Sequence, residues 1–171
     1  MNAFRKRCIA YLALFCLILP ALFSCAESDD DFLAWNKAPL SFVGVYEADG
    51  ISLRAHFSLN GRDDVAVTLL SPSEGAGIVY EKKGAAVTAR CGDTAIPLST
   101  SPAAVEAALL CYPESPVLDK VLSEGAVRTE TVRASGGVYK IRYGRDGLPE
   151  EILLESGGAP FSLFIESFDA P

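Results

Sequence analysis

The sequence predicts a mainly β domain of the α+β class, in which about nine antiparallel strands are interrupted mid-chain by two helices. Three observations carry that prediction. Apolar and polar residues alternate with a period of two through several short segments, as in a sheet with one wet face. Glycine-bearing turn pairs close those segments, among them Asp49-Gly50, Asn60-Gly61, Gly136-Gly137 and Gly157-Gly158. The alternation stops between residues 101 and 125, where Ser101-Pro102 and Ser115-Pro116 each introduce an apolar run.

The elements follow in order. Leu40–Ala48 reads as a first strand, ended by Asp49-Gly50. Ile51–Leu59 puts Ile51, Leu53, Ala55, Phe57 and Leu59 on one face and Ser52, Arg54, His56 and Ser58 on the other. Asn60-Gly61 is a strong hairpin turn, and Asp64–Leu70 then groups Val65, Val67 and Leu69. Gly77–Glu81 and Ala85–Arg90 form a further hairpin around Lys82-Lys83-Gly84. Ser101-Pro102 is a helix start, with a capping residue followed by proline at the first helical position, and predicts a helix over Ala103–Tyr112. That segment is apolar nearly all round apart from Glu106, so it must be covered on most sides. After Ser115-Pro116, the residues Val117, Leu118, Val121 and Leu122 predict an amphipathic second helix stopped by Gly125. Strands resume at Val127–Ala134, Val138–Tyr143, Glu150–Glu155 and Phe161–Phe168. There is no internal repeat and no domain linker.

The N-terminus is a secretory signal. Arg5, Lys6 and Arg7 precede an apolar stretch from about Cys8 to Phe23. Leu22-Phe23-Ser24-Cys25 resembles the lipobox of bacterial lipoproteins, in which the cysteine receives a diacylglyceryl group and becomes the first residue after cleavage between Ser24 and Cys25. Two other readings stay open. Ser24-Cys25-Ala26 also fits an ordinary signal-peptidase site that would release a soluble protein, and the apolar run could remain as an anchor, although it is shorter than the ~20 residues a span needs. Under the lipobox reading the chain is exported and tied to a membrane through lipid on Cys25, facing the periplasm or the cell exterior. Residues 25–39 then form a tether, opening with the acidic Glu27-Ser28-Asp29-Asp30-Asp31, and the domain occupies 40–171. Trp35, near the tether, could pack over the domain or touch the membrane interface.

Without residues 1–24 the chain keeps 147 residues, enough for one domain with a core. The leader holds three of the 15 Lys+Arg and none of the 22 Asp+Glu, so the remainder carries a formal charge of −10. An acidic domain repels phosphate backbones, which argues against nucleic acid as a partner. Cys8 and Cys16 leave with the leader. Cys91 and Cys111 remain, either as a disulfide, which would contribute about 3 kcal/mol for a loop of about 20 residues, or as two independent thiols.

Particular segments resemble the LolA/LolB superfamily of lipoprotein carriers and receptors. Leu70-Ser71-Pro72-Ser73-Glu74-Gly75 is similar to a strand-end segment of that family. Tyr143-Gly144-Arg145-Asp146-Gly147-Leu148-Pro149-Glu150-Glu151-Ile152 is similar to its late Gly-Leu-Pro hairpin, and Phe161–Phe168 to its closing strand. The resemblance implies a curved, unclosed antiparallel β-barrel plugged by helices inserted mid-chain, with an apolar cavity for acyl chains or another hydrophobic ligand. The family's long N-terminal helix is shortened here, since only Asp31–Lys37 precedes the first strand. Its cavity arginine and its protruding apolar loop match no residue of this chain. Phe57, Tyr139, Tyr143, Phe161, Phe164 and Phe168 are the candidates for lining the lumen, which the helices could also fill completely.

Little else points to chemistry. His56, the one histidine, stands on the polar face of a strand with Ser52 and Ser58, and has no second ligand at metal spacing. A serine–histidine pair would further need an orienting group and an oxyanion hole. Asp29–Asp31 lacks the glycine and glutamate of a calcium loop, and Glu150-Glu151 point to opposite faces of a strand. The sequence therefore predicts a non-enzymatic envelope protein with no metal and no cofactor. It either binds a lipid or acyl ligand, with a role in lipoprotein handling, or docks a filled barrel onto an envelope protein partner.

Overall fold

The computed structural model describes residues 32–157 and 160–169. The chain from Leu33 onward forms one compact unit with its own core. Ser24 and Cys25 lie outside the described residues. No helix among the described residues is long and apolar enough to cross a membrane.

Among the described residues, eleven strands form one antiparallel sheet. They are β1 Leu40–Ala48, β2 Ile51–Leu59, β3 Asp64–Ser71, β4 Val79–Lys83, β5 Ala86–Cys91, β6 Thr94–Leu98, β7 Val117–Glu124, β8 Val127–Ala134, β9 Gly137–Tyr143, β10 Pro149–Glu155 and β11 Phe161–Phe168. Across the sheet the order is β6-β5-β4-β3-β2-β1-β11-β10-β9-β8-β7. The first and last strands thus pair at the centre. β6 and β7 are the two edges, and they do not pair with each other, so the sheet is unclosed. The α-helix of the described residues, α1 Ala103–Leu109, packs on β2, β3 and β4. The connection from β6 through α1 to β7 carries the chain from one edge to the other.

Contacts across the covered face show that the sheet curves. Trp35 Nε1 donates to the Tyr143 hydroxyl on β9 at 3.1 Å, and its neighbour Asn36 donates to the Cys111 carbonyl at 2.9 Å. The adjacent Tyr112 hydroxyl accepts from the Gly61 amide in the β2–β3 turn at 3.2 Å. β2 and β9 stand four strand steps apart, yet this run of contacts joins them around one lumen. Ala34–Lys37, within the segment read from sequence as a tether, form a short 3-10 turn on that same face, and the preceding Leu33 is buried.

Several sequence expectations need correction. Residues 117–124 are the strand β7, not a second helix. The cause is a bulge: Leu118 faces Val132 and Lys120 faces Thr131, which leaves Asp119 as an extra residue. Leu118 and Val121 therefore share a face at a spacing of three, which imitates helical periodicity. Gly125, read as a helix stop, turns a hairpin with φ 63°. The second correction is β6, which the alternation did not reveal. It is five residues long and contains Pro97, a residue suited to an edge strand. The described residues thus hold eleven strands and one α-helix rather than nine and two. The helix is also shorter than Ala103–Tyr112. Beyond Leu109 the amides of Leu110, Cys111 and Tyr112 bond three residues back, as in a tightening last turn. At its start Pro102 is the cap residue and no side chain caps the helix.

The core lies between the concave face and α1. Phe57, Ile141, Ile152 and Leu163 are sealed on that face, and each contributes about 1.5–3 kcal/mol of hydrophobic stabilisation. Ala104, Val105, Ala107 and Ala108 close on them from the helix, their small side chains allowing close approach. Where β1 meets β11 the register shifts, and Glu166 is the extra residue. Gly44 stands at that shift because a Cβ there would lie 2.7 Å from the Phe164 carbonyl oxygen. Glu166 turns to the convex face, where Arg54 Nε donates to it at 2.8 Å.

Cys91 and Cys111 are free, so the disulfide option is not realised in this structure. Cys91 ends β5 in solvent, whereas Cys111 is sealed beside α1, and burial raises its thiol pKa far above the ordinary value. Iodoacetamide should therefore alkylate Cys91 alone in the folded chain of residues 26–171, with Cys111 reacting only in urea. Intact-mass spectra showing equal labelling of both under native conditions would contradict this placement.

Candidate functional site

At one end of the lumen, helix and sheet part. The gap is an open pocket of about 390 Å³ lined by Tyr46, Ala48, Asp49, Ile51, Ala103, Glu106, Leu110, Leu154 and Phe161. That volume lies in the range of small-molecule sites. The walls come from four strands of the sheet's centre and from α1. Tyr46 and Phe161 stack with ring centroids 6.5 Å apart and form an aromatic wall. Ile51 contributes an apolar side chain that is 52% exposed at the mouth. The β1–β2 turn positions Asp49: Asp49 and Gly50 have φ of 46° and 78°, the pair of positive values a type I′ hairpin requires. Glu106 stands in the first turn of α1, where a carboxylate suits the helix dipole.

Among the described residues, Tyr46 is the one buried polar side chain of the pocket. The residue is 2% exposed, and its hydroxyl has no hydrogen-bond partner among the described residues. The oxygen itself opens onto the pocket, since every fully sealed side-chain oxygen or nitrogen among the described residues has a partner. Burial pushes its pKa up, and the charges of Glu106 and Asp49 push it further the same way. The hydroxyl thus stays protonated and free to donate or accept. Neither Asp49 nor Glu106 forms an ion pair with a described residue.

Of the six aromatic candidates, the structure places only Phe161 in this pocket. Phe57 is in the sealed core, stacked on Phe42 at 4.9 Å, and Phe168 tilts against the same ring at 5.6 Å. Tyr139 and Tyr143 are buried on the concave face of β9. Tyr143 belongs to a network in which it donates to Glu130 at 2.6 Å and Arg128 donates to the other Glu130 oxygen at 2.6 Å. Phe164 is on the opposite face, opposite Val45 and Glu151, in a polar cleft that includes Arg142, Glu150 and Glu166. Sequence reasoning missed Tyr46, Leu110 and Leu154. Tyr46 was legible from the run Leu40, Phe42, Gly44, Tyr46, Ala48, but Val43 and Val45 on the other face masked the alternation.

His56 meets neither Ser52 nor Ser58, since all three stand side by side along β2. Its partners are Ser41, across on β1 at 3.3 Å, and Asp169 at 2.8 Å. Ser41 also donates to Asp169, which holds that carboxyl below the usual range, followed by the effect of His56. Both partners contact the same ring nitrogen, Nε2, whereas a nucleophile–base–acid relay needs the serine and the acid on different nitrogens. No group of three His, Cys, Asp or Glu among the described residues is placed to hold a metal.

Fold and site together define a class: an open, curved antiparallel sheet closed on one side by a short helix, with an apolar pocket where the two separate. No protein-family model and no curated protein matches the chain. Among solved structures, an uncharacterized conserved protein from Thermus thermophilus aligns over 85% of this chain and 87% of its own, with a TM-score of 0.51 and 14% identity. A LolA superfamily protein from Nitrosomonas europaea aligns over 79% of this chain and 88% of its own, with a TM-score of 0.44 and 13% identity. The Mycobacterium tuberculosis lipoprotein LppX aligns over 89% and 97%, with a TM-score of 0.41 and 11% identity. The Thermus protein shares the fold. At these identities none of the three speaks to ligand or activity.

Proposed function

We propose that this chain is an exported, lipid-anchored cell-envelope protein that holds a hydrophobic ligand or acyl chain in the pocket between α1 and the sheet. The observation that carries the reading is the pocket itself: about 390 Å³, open to solvent, and walled by Phe161, Leu154, Leu110, Ala103 and Ile51. An open apolar volume of this size loses contact energy and exposes apolar surface unless something occupies it. The leader and Cys25 support export and anchoring, and two or three acyl chains on one cysteine hold a small domain durably on a bilayer. A role in lipoprotein handling is the finer form of the same proposal. The reading includes no catalytic step.

Native mass spectrometry of residues 26–171 tests it. A mass adduct in the fatty-acid or phospholipid range, or its formation on incubation with lipids, is the expected result. Ala103→Trp fills the pocket from the helix start and should lower the bound fraction at least tenfold. A clean mass in the presence of lipid would sink the reading.

One observation favours a second reading, docking onto an envelope partner. The edge strand β7 leaves Val117, Val121 and Leu122 exposed, beside Val127 of β8. An edge with exposed apolar residues is open to another strand. Docking through β7 would survive Ala103→Trp and fail with Leu122→Lys in a pull-down against the native envelope fraction.

A further inference from the structure

We infer that the pocket selects hydrophobic ligands with a protonated amine at the head over those with a carboxylate or phosphate head. The inference rests on the reading of the pocket as a ligand site and names the ligand's chemistry. Three observations converge. Among the described residues, the only charged ones lining the pocket are Asp49 and Glu106, both carboxylates, with no lysine or arginine. Both carboxylates lack an ion-pair partner among the described residues. Both share that lining with Tyr46, the polar residue of an otherwise apolar wall.

That hydroxyl is the independent sign of a ligand. It belongs to a side chain that is 2% exposed, it lines the pocket, and it has no partner among the described residues. The oxygen opens onto the pocket rather than being sealed, so the hydroxyl takes its hydrogen bond from whatever occupies the pocket, water or a ligand head group. An ammonium donates three hydrogen bonds, and the phenolic oxygen and two carboxylates can accept them. A carboxylate head would find one donor, the tyrosine O–H, and two like charges. The alkyl part of either ligand would meet the same apolar walls, so the head group decides the preference.

The test uses residues 26–171, which retain the whole compact unit from Leu33 onward and its core. Decylamine, decanol and decanoate compete with the neutral dye Nile red at neutral pH and low salt. The amine should bind about tenfold tighter than the alcohol, as two partly hydrated charge pairs of several-fold each would give, and decanoate should bind weakest. Raising the salt should compress the series. Asp49→Asn with Glu106→Gln should bring the amine-to-alcohol ratio close to one. Asp119→Asn, on the β7 edge, should leave it as in the wild type. If none of the three displaces the dye, the pocket reading fails and this inference with it. If decanol binds but decylamine does no better than decanoate, only the inference is overturned. The same holds if the double variant keeps the wild-type ratio, which would trace the preference to the domain's overall negative charge.

Discussion

Phe57→Asp should yield no folded domain. The ring is fully buried, stacked on Phe42 at 4.9 Å and an interplanar angle of 19°, with Val67 opposite on β3. Truncating a buried phenylalanine alone costs about 3–5 kcal/mol. A carboxylate in its place adds a desolvation penalty of several kcal/mol in a fully buried apolar position. Domains of this size hold about 5–15 kcal/mol in all, so the substitution removes most or all of the margin. Far-UV circular dichroism and urea titration of residues 26–171 would show this directly. Phe57→Leu is the control: it keeps an apolar side chain and should retain a cooperative transition at a lower midpoint. A soluble Phe57→Asp protein with the wild-type midpoint would mean that position 57 faces an open lumen.

That contrast marks how far the sequence could be read. Period-two alternation identified β2, β3 and β9 and with them the concave set Phe57, Tyr139 and Tyr143, while turn pairs bounded the other strands that were found. It could not separate core from cavity. Both are apolar, and the difference depends on where α1 stops covering the sheet. Phe57 lies under covered core, whereas Phe161 lies at the uncovered end. Phe164 stands three residues from Phe161 with no bulge between them, so alternation puts the two on opposite faces; the bulge at Glu166 lies beyond it and instead returns Phe168 to the face of Phe161. β7 was misread because the bulge at Asp119 converts a spacing of two into three. The polar part of the pocket was harder still. Asp49 reads as a turn residue and Glu106 as a helix-start residue, and both are. Only the fold brings them around Tyr46.

Tyr143→Phe should cost about 3 kcal/mol, much more than a surface change, because it breaks a buried chain of hydrogen bonds at its middle. The hydroxyl donates to Glu130 at 2.6 Å and accepts from Trp35 Nε1 at 3.1 Å. Glu130 is 1% exposed, so without that donor one oxygen of a sealed carboxylate loses its partner. Arg128, which holds the other oxygen and lies 5.7 Å over the Tyr143 ring, stays half in water and compensates only in part. The Trp35 N–H is orphaned as well, which loosens the N-terminal turn from β9. A fall in Tm on the order of 10 °C follows for a domain of this length. The pH dependence carries a further signature. Burial raises the Tyr143 pKa, with the Glu130 hydrogen bond and charge next, so the folded state favours the protonated phenol. The stabilisation is therefore complete below the ordinary tyrosine value of about 10 and fades as pH climbs through the higher folded value. The gap between wild type and Tyr143→Phe should be flat from neutral pH to about pH 10 and narrow above it. A double-mutant cycle with Trp35→Phe separates the two halves of the network. Coupling should be clear, since the two side chains share one hydrogen bond. A Tyr143→Phe protein within about 0.5 kcal/mol of wild type in urea would mean that Glu130 finds its donor elsewhere and that the N-terminal turn is held by packing alone.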